Sequence, residues 1–216
     1  MPEAICTSRA AIVDRIRAAN RSVDAALCSA EYGSIAREYQ QSSSMYRATV
    51  LAAFEERLRE YGACVYRTAS AGLPAKIGEV FVAHGQRSVV AADDFPRRWL
   101  PEGFRWQTEA GVDTEALNRT EGAVVTCEVA IAHTGTIILK GVRRLTLLPD
   151  RLCCVVQENQ IVETVPEAID RMQSFATDAL TFISGPSATA DIEMTRISGV
   201  HGPRVLDVVI VLSQRD

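Results

Sequence analysis

The sequence lacks the features that mark several large classes of protein. Its six cysteines form no C-x-x-C pair, which is the usual spacing of zinc and iron–sulfur ligands. No apolar run approaches the roughly 20 residues of a membrane-spanning helix, and the first twenty residues carry charges that are atypical of a signal peptide. A net charge of -4 does not favour nucleic acid or an anionic membrane as a partner. We therefore expect a cytoplasmic protein whose own chain holds no metal, cluster or other cofactor.

Nucleotide-binding and hydrolase motifs are missing as well. Neither G-x-G-x-x-G nor a phosphate loop ending in Gly-Lys-Ser/Thr occurs. The turn around Ser187 departs from the G-x-S-x-G elbow, because Thr189 stands where the second glycine belongs. The three histidines are far apart in sequence, so they share no metal-ligand spacing. Cys153 and Cys154 would point to opposite faces of a strand, and we expect them to be reduced and buried.

What is present is an ordinary globular composition, with 47% hydrophobic and 23% charged residues. Helical periodicity covers residues 8–19, 46–61, 75–84 and 165–175, and strand patterns cover residues 63–68, 88–92, 123–126, 136–139 and 152–157. This alternation predicts an α/β fold with a largely parallel sheet. Residues 20–44 show no clear pattern and are interpreted as irregular. We therefore predict an N-terminal helix with an irregular segment at 1–44, followed by an α/β domain at 45–216.

Residues 180–212 contain the clearest candidate site. Two nearly continuous apolar runs, 180–183 and 205–212, predict buried strands. A short helix between them would make them parallel neighbours in one sheet. Glycine and proline mark the two intervening turns, at Gly185-Pro186-Ser187 and at residues 199–203.

The first of these turns is predicted to bind an anion. If Ser187 opens a helix, free backbone N–H groups and the helix dipole favour a phosphate or carboxylate there, and Thr189 adds a hydroxyl. The alternative is a tight turn in which Ser187 caps the helix without a ligand. Asp191 and Glu193 would follow in the first helical turn, either facing the site or simply interacting with the dipole. His201 could handle a hydroxyl proton, although a plain crossover places its turn at the opposite edge of the sheet.

Two further segments supply candidate ligand-binding residues. Thr134, Gly135 and Thr136 combine two hydroxyls with a glycine that permits close backbone approach, and the alternative is an ordinary strand entry. Arg144 could hold a carboxylate or phosphate through two parallel hydrogen bonds, and the alternative is a solvated arginine. No residue is assigned a catalytic role.

The segments AIAHTGTIIL, RLTLLP, SGPSATADIE and GVHGPR together resemble the LUD-domain family. The resemblance implies a three-layer α/β/α fold, similar to the sugar-phosphate isomerase and CoA-transferase (NagB/RpiA-like) superfamily. It also implies a role in the oxidation of L-lactate to pyruvate, alongside partner proteins that carry the iron–sulfur clusters. Two positions depart from the family pattern: His133 replaces a usual acidic residue before Thr134, and Asp207 replaces a frequent histidine in the last strand.

Three hypotheses follow. The chain is an accessory or ligand-binding subunit of an iron–sulfur lactate oxidation system. Alternatively, it is a stand-alone enzyme acting on a phosphorylated sugar or a CoA-type ligand. The third hypothesis is an interaction module with no ligand of its own.

Overall fold

The computed structural model describes residues 3–20, 24–42, 44–189, 197–198 and 202–213 of the 216-residue chain. The chain separates into two compact units, Met1–Tyr39 and Gln40–Asp216. The helices are α1 (Glu3–Ala19), α2 (Ala25–Ser34), α3 (Arg47–Glu60), α4 (Leu73–Ala83), α5 (Thr114–Asn118) and α6 (Val165–Met172). The strands are β1 (Cys64–Ala69), β2 (Ser88–Ala91), β3 (Arg105–Thr108), β4 (Gly122–Thr126), β5 (Val129–Ile131), β6 (Thr136–Lys140), β7 (Arg151–Gln157), β8 (Ile161–Val162), β9 (Leu180–Ile183), β10 (Ala188–Thr189), β11 (Ile197–Ser198) and β12 (Val205–Leu212). Within the described ranges, no helix combines the length and apolar character needed to cross a membrane.

The first unit contains two helices. Helix α1 includes the predicted helical residues 8–19 and begins earlier, at Glu3. The expectation that residues 20–44 are irregular is wrong for α2. The reason is the cap at Asp24, whose Oδ1 accepts hydrogen bonds from Ala26 N at 2.8 Å and from Leu27 N at 3.3 Å. Such a cap satisfies amide groups that a short helix would otherwise leave unpaired. The predicted division into domains after residue 44 stays a prediction.

The second unit is built on a six-stranded sheet with the order β1-β12-β7-β4-β2-β3. Every neighbouring pair in it is parallel, which confirms the predicted α/β class. Two neighbouring residues of β1 show which helix lies on each face of the sheet. Arg67 bonds to Glu55 on α3. Thr68 faces the start of α4, since a Cβ added at Gly72 would lie 2.7 Å from Thr68 Oγ1. Successive strand residues point to opposite faces, so α3 and α4 cover the two sides of the sheet. The likeness to the wider NagB/RpiA-like superfamily stays a prediction.

A smaller, four-stranded sheet has the order β8-β5-β6-β9. In sequence, its strands fall between β4 and β12 of the main sheet. Helix α6 packs on it through Ala168, and Met172 joins the same apolar cluster with Val129 and Ile138. The helix begins with a reciprocal cap between Thr164 and Glu167. This second cluster was not predicted, because the short strands β5 and β8 carry too few residues for a clear pattern.

The predicted arrangement of residues 180–212 is wrong in two respects. Strand β12 has β1 and β7 on its two sides, so β9 cannot be its neighbour; instead β9 pairs antiparallel with β6. Phe182 in β9 is 56% exposed, so this strand is not buried on both faces. The helix expected after Ser187 is also absent at its predicted start, because Ala188–Thr189 pairs antiparallel with Ile197–Ser198. Residues 190–196 lie outside the described part of the chain.

Candidate functional site

A cleft of about 280 Å³ opens between β9 and the amino-terminal ends of β7 and β12. Its walls combine a cation, several hydroxyls and an apolar floor. It is lined by Arg143, Thr146, Leu147, Leu152, Thr181, Phe182, Ile183, Ser184, Gly185, Pro186, Ser187, Ala188, Gly202, Pro203 and Leu206. Gly185, Pro186 and Ser187, which the sequence singled out, therefore belong to one cavity.

Two glycines allow the loops of the cleft to approach their neighbours closely. Gly185 has a φ of +87°, and a Cβ added there would lie 2.6 Å from Tyr61 Cβ, at the end of α3. A Cβ added at Gly202 would lie 3.1 Å from Thr146 O and 3.3 Å from Ser187 Cβ. The Ser187 backbone N–H donates to Pro203 O at 2.8 Å, which joins the two turns. The described parts of both glycine turns thus meet at the cleft, whereas a plain crossover would have placed the second turn at the opposite edge of the sheet.

The predicted electrostatic basis of this turn is wrong. Ser187 precedes strand β10, so no helix dipole points into the cleft at this position. Its N–H is also used by Pro203 O and is not free for an anion. The Ser187 amide therefore does not supply the anion contact that the sequence suggested.

A chain of hydroxyls connects the Thr134–Thr136 segment to the cleft. Thr134 Oγ1 lies 2.7 Å from Thr136 Oγ1, which lies 2.8 Å from Ser184 Oγ. Gly135 has a φ of +60°, and a Cβ there would lie 2.8 Å from Arg57 Cβ on α3. Because Ser184 lines the cleft, the hydrogen-bonded chain ends at its wall. The structure therefore brings the predicted Thr134 and Thr136 to the site indirectly.

Arg144, the predicted ligand-binding arginine, does not line the cleft, but the adjacent Arg143 does. Arg144 Nη2 donates to Val112 O at 2.7 Å, and its buried Nε has no hydrogen-bond partner among the described residues. Burial raises the pKa of nearby Glu109, while the positive charge of Arg144 lowers it. Arg143, by contrast, is exposed, lines the cleft and has no ion-pair partner within the described ranges. Arg143 is thus a cation available to a ligand in the cleft. The sequence does not show which of the two adjacent arginines lines the cavity.

Three predicted residues, Asp191, Glu193 and His201, lie outside the described residues. Thr189 lies in β10, where its backbone pairs with Ile197. Of the candidate residues, Ser187 lines the cleft, and Thr134 is connected to it through Thr136 and Ser184.

The surroundings of the buried cysteines disfavour the thiolate form. Burial raises the pKa of Cys153 and Cys154 well above the ordinary value, and it does the same for Cys127. Within the described ranges, no group of three or more His, Cys, Asp or Glu side chains is placed to hold a metal ion. Cys28 and Cys64 are the exposed free thiols among the described residues.

A family model described as the LUD domain matches residues 51–211. The chain is 39% identical over 181 residues to Lactate utilization protein C of Deinococcus radiodurans, which covers 80% of this chain and 84% of that protein. It is 31% identical over 149 residues to Lactate utilization protein C of Bacillus subtilis, covering 62% of this chain and 60% of that protein.

A solved structure shows the same fold. The crystal structure of a DUF162 family protein from Deinococcus radiodurans matches with a TM-score of 0.66 and 34% identity, covering 77% of this chain and 99% of that chain. These matches confirm the resemblance drawn from the motifs. The family model spans most of the α/β unit and includes the cleft, so the chain belongs to the LUD-domain family.

Proposed function

We propose that this protein takes part in lactate utilization and binds a small carboxylate, such as lactate or pyruvate, in the cleft beside Arg143. In this proposal it is an accessory subunit of an iron–sulfur system that oxidises L-lactate to pyruvate, and the clusters lie in partner proteins. The role in lactate utilization is supported by the names of the similar proteins from Deinococcus radiodurans and Bacillus subtilis.

The observation that carries the ligand proposal is that the cleft combines hydroxyls with a cation, Arg143, that has no ion-pair partner among the described residues. Arg143 can hold a carboxylate through two parallel N–H groups. Ser184, Ser187 and Thr181 line the same cleft and offer hydroxyls to a 2-hydroxy or 2-oxo group. A cleft of about 280 Å³ suits a ligand of this size better than a complete CoA molecule.

The chemistry of the thiols supports placing the clusters in partner proteins. Iron–sulfur ligation requires thiolates, usually in closely spaced sets. Burial disfavours the thiolate of Cys127, Cys153 and Cys154, and the sequence contains no C-x-x-C pair. These thiols are better suited to packing in the core than to ligating iron.

Lactate oxidation by the cluster-bearing partner proteins, measured with and without this chain, tests the proposal. We expect co-purification with those proteins and a rate that falls when the chain is omitted. An Arg143→Met variant should restore less of the rate than the wild type. Arg97→Met removes the same charge from an exposed position that does not line the cleft, and it should restore the full rate. An unchanged rate without the chain would refute the proposal.

Thermal shift measurements separate this proposal from the enzyme hypothesis. Stabilisation by lactate or pyruvate, with none from sugar phosphates or CoA esters, is the expected result. Stabilisation by the phosphorylated ligands alone would favour a stand-alone enzyme.

A further inference from the structure

A cluster of ionisable side chains centred on buried Asp207 lies on the face of the sheet opposite the floor of the cleft. Asp207 on β12 is fully buried and is in register with Cys64 on β1 and Cys153 on β7. Arg151 stands two residues before Cys153, and Tyr66 stands two residues after Cys64. Because side chains alternate along a strand, all five project from the same face.

The contacts within this cluster are loose for such a buried position. Tyr66 Oη lies 3.4 Å from Asp207 Oδ1, and Arg151 Nε lies 3.5 Å from Asp207 Oδ2. Asp207 Oδ2 and Arg151 Nη1 are buried, and neither has a hydrogen-bond partner among the described residues. The pair is therefore held by charge more than by hydrogen bonds, which makes its strength depend on whether Asp207 is ionised.

Asp207 is the carboxyl group of this cluster, and its protonation decides whether Arg151 faces a negative charge. Burial raises the pKa of its carboxyl, and Arg151 and Tyr66 offset part of that rise. Burial, assisted by Asp207 and Cys64, raises the pKa of Tyr66 to about 12. Burial also raises the pKa of the Cys153 thiol, which disfavours its thiolate.

Charged side chains on other described elements near β12 have bonding partners outside the cluster. On α4, the charged Lys76 and Glu79 bond to each other. Glu158, in the turn after β7, accepts a hydrogen bond from Ser213 N just beyond the far end of β12. On the two strands beside β12, the ionisable side chains that share the face of Asp207 are Arg151, Tyr66, Cys64 and Cys153.

The cluster is joined directly to the cleft through the backbone. Leu206 and Leu152 line the cleft and are register partners, and each is the immediate neighbour of Asp207 or Arg151 in sequence. Alternation along the strands places these leucines on the opposite face from the ion pair. The backbone therefore connects the ion pair on one face of the sheet to the cleft floor on the other.

We propose that the charge state of Asp207 sets the position of β12 against β7 and makes the cleft floor respond to pH. When Asp207 is ionised, its attraction to Arg151 draws the two side chains together across β12 and β7, next to Leu206 and Leu152, and offsets part of the desolvation cost of the charge. When Asp207 takes up a proton, Arg151 loses its counter-charge and the junction relaxes. This inference does not depend on the identity of the ligand.

Methyl NMR of the full chain between pH 4 and pH 8 tests the proposal, with leucine signals assigned by Leu→Ile substitutions. The methyl signals of Leu152 and Leu206 should shift with one common midpoint, whereas those of Leu58 and Leu73, buried on α3 and α4, should not. In Asp207→Asn the transition should disappear. Floor signals that do not titrate, or that titrate unchanged in this variant, would overturn the proposal.

A milder variant keeps the test decisive if Asp207→Asn does not fold. Tyr66→Phe removes the hydroxyl near Asp207 and keeps the ring. Since that hydroxyl favours the ionised carboxylate, its loss should raise the midpoint of the leucine shifts. A midpoint that stays in place or falls would contradict the assignment to Asp207.

Discussion

The close approach of Gly185 to α3 yields a quantitative prediction with a matched control. Gly185 has a φ of +87°, and a Cβ added there would lie 2.6 Å from Tyr61 Cβ and 3.0 Å from Tyr61 O. Gly62, which follows the same helix, has a φ of +89°, but an added Cβ would meet nothing within 4 Å. The two positions therefore carry nearly the same conformational strain and differ in the space available.

Alanine at either position should cost about 1–2 kcal/mol for a left-handed backbone. At Gly185 the steric conflict with Tyr61 should add about 1–3 kcal/mol, the usual cost of forcing an extra carbon into a packed site. Because the nearest atoms belong to the Cβ and backbone of Tyr61, a simple rotamer change cannot relieve the conflict. We expect Gly185→Ala to lower the free energy of unfolding by clearly more than Gly62→Ala does.

Urea denaturation of both variants, followed by circular dichroism, measures this difference. Equal losses of stability would refute the proposed close packing of the Gly185 turn against α3. A smaller loss at Gly185 would refute it more strongly, since only Gly185 meets a neighbouring residue.

Three other predictions concern charge and thiol chemistry. Arg144→Met should lower the free energy of unfolding, measured in urea, by about 1–2 kcal/mol, because the Val112 carbonyl loses its hydrogen-bond donor. Arg143→Met is the control and should change that free energy by less than about 0.5 kcal/mol. Alkylation at pH 8 followed by mass spectrometry should modify exposed Cys64 rapidly and leave Cys127 unmodified until unfolding, and equal rates would contradict the burial of Cys127. The pKa of Asp207 is higher in the folded protein than in the unfolded chain, where it is about 3.9. Its contribution to the free energy of unfolding is therefore largest below that unfolded pKa and is lost as the pH rises through the folded pKa. The unfolding free energy should therefore fall with rising pH in the wild type relative to Asp207→Asn, and parallel pH profiles would contradict this sign.

Much of the fold follows from local patterns in the sequence. The apolar stripe predicted over residues 46–61 corresponds to α3, and the apolar run at 205–212 is β12. The arrangement of the strands could not be read in the same way. An apolar run does not specify which strand lies beside it, and β12 pairs with β1, which lies far away in sequence.

The site was predictable where glycine fixes the backbone and less so where side chains decide the chemistry. Gly185 and Ser187 were identified because their turn has an unusual composition. Arg143 was missed because adjacent arginines give no sequence signal of which one turns toward a cavity. Asp207 and Arg151 did carry a signal, since each is a charge in or beside an apolar strand, and opposite charges in neighbouring buried strands predict an ion pair.

Titration of the isotopically labelled protein with lactate and with pyruvate, followed by amide NMR, tests the central claim most directly. The proposed site predicts saturable shifts centred on Arg143 and residues 184–187, with affinity reduced roughly 10-fold or more in Arg143→Met, as expected for the loss of a charge-assisted contact. Arg97→Met should bind as the wild type does. Shifts centred away from the cleft, or equal affinity in Arg143→Met, would contradict the claim.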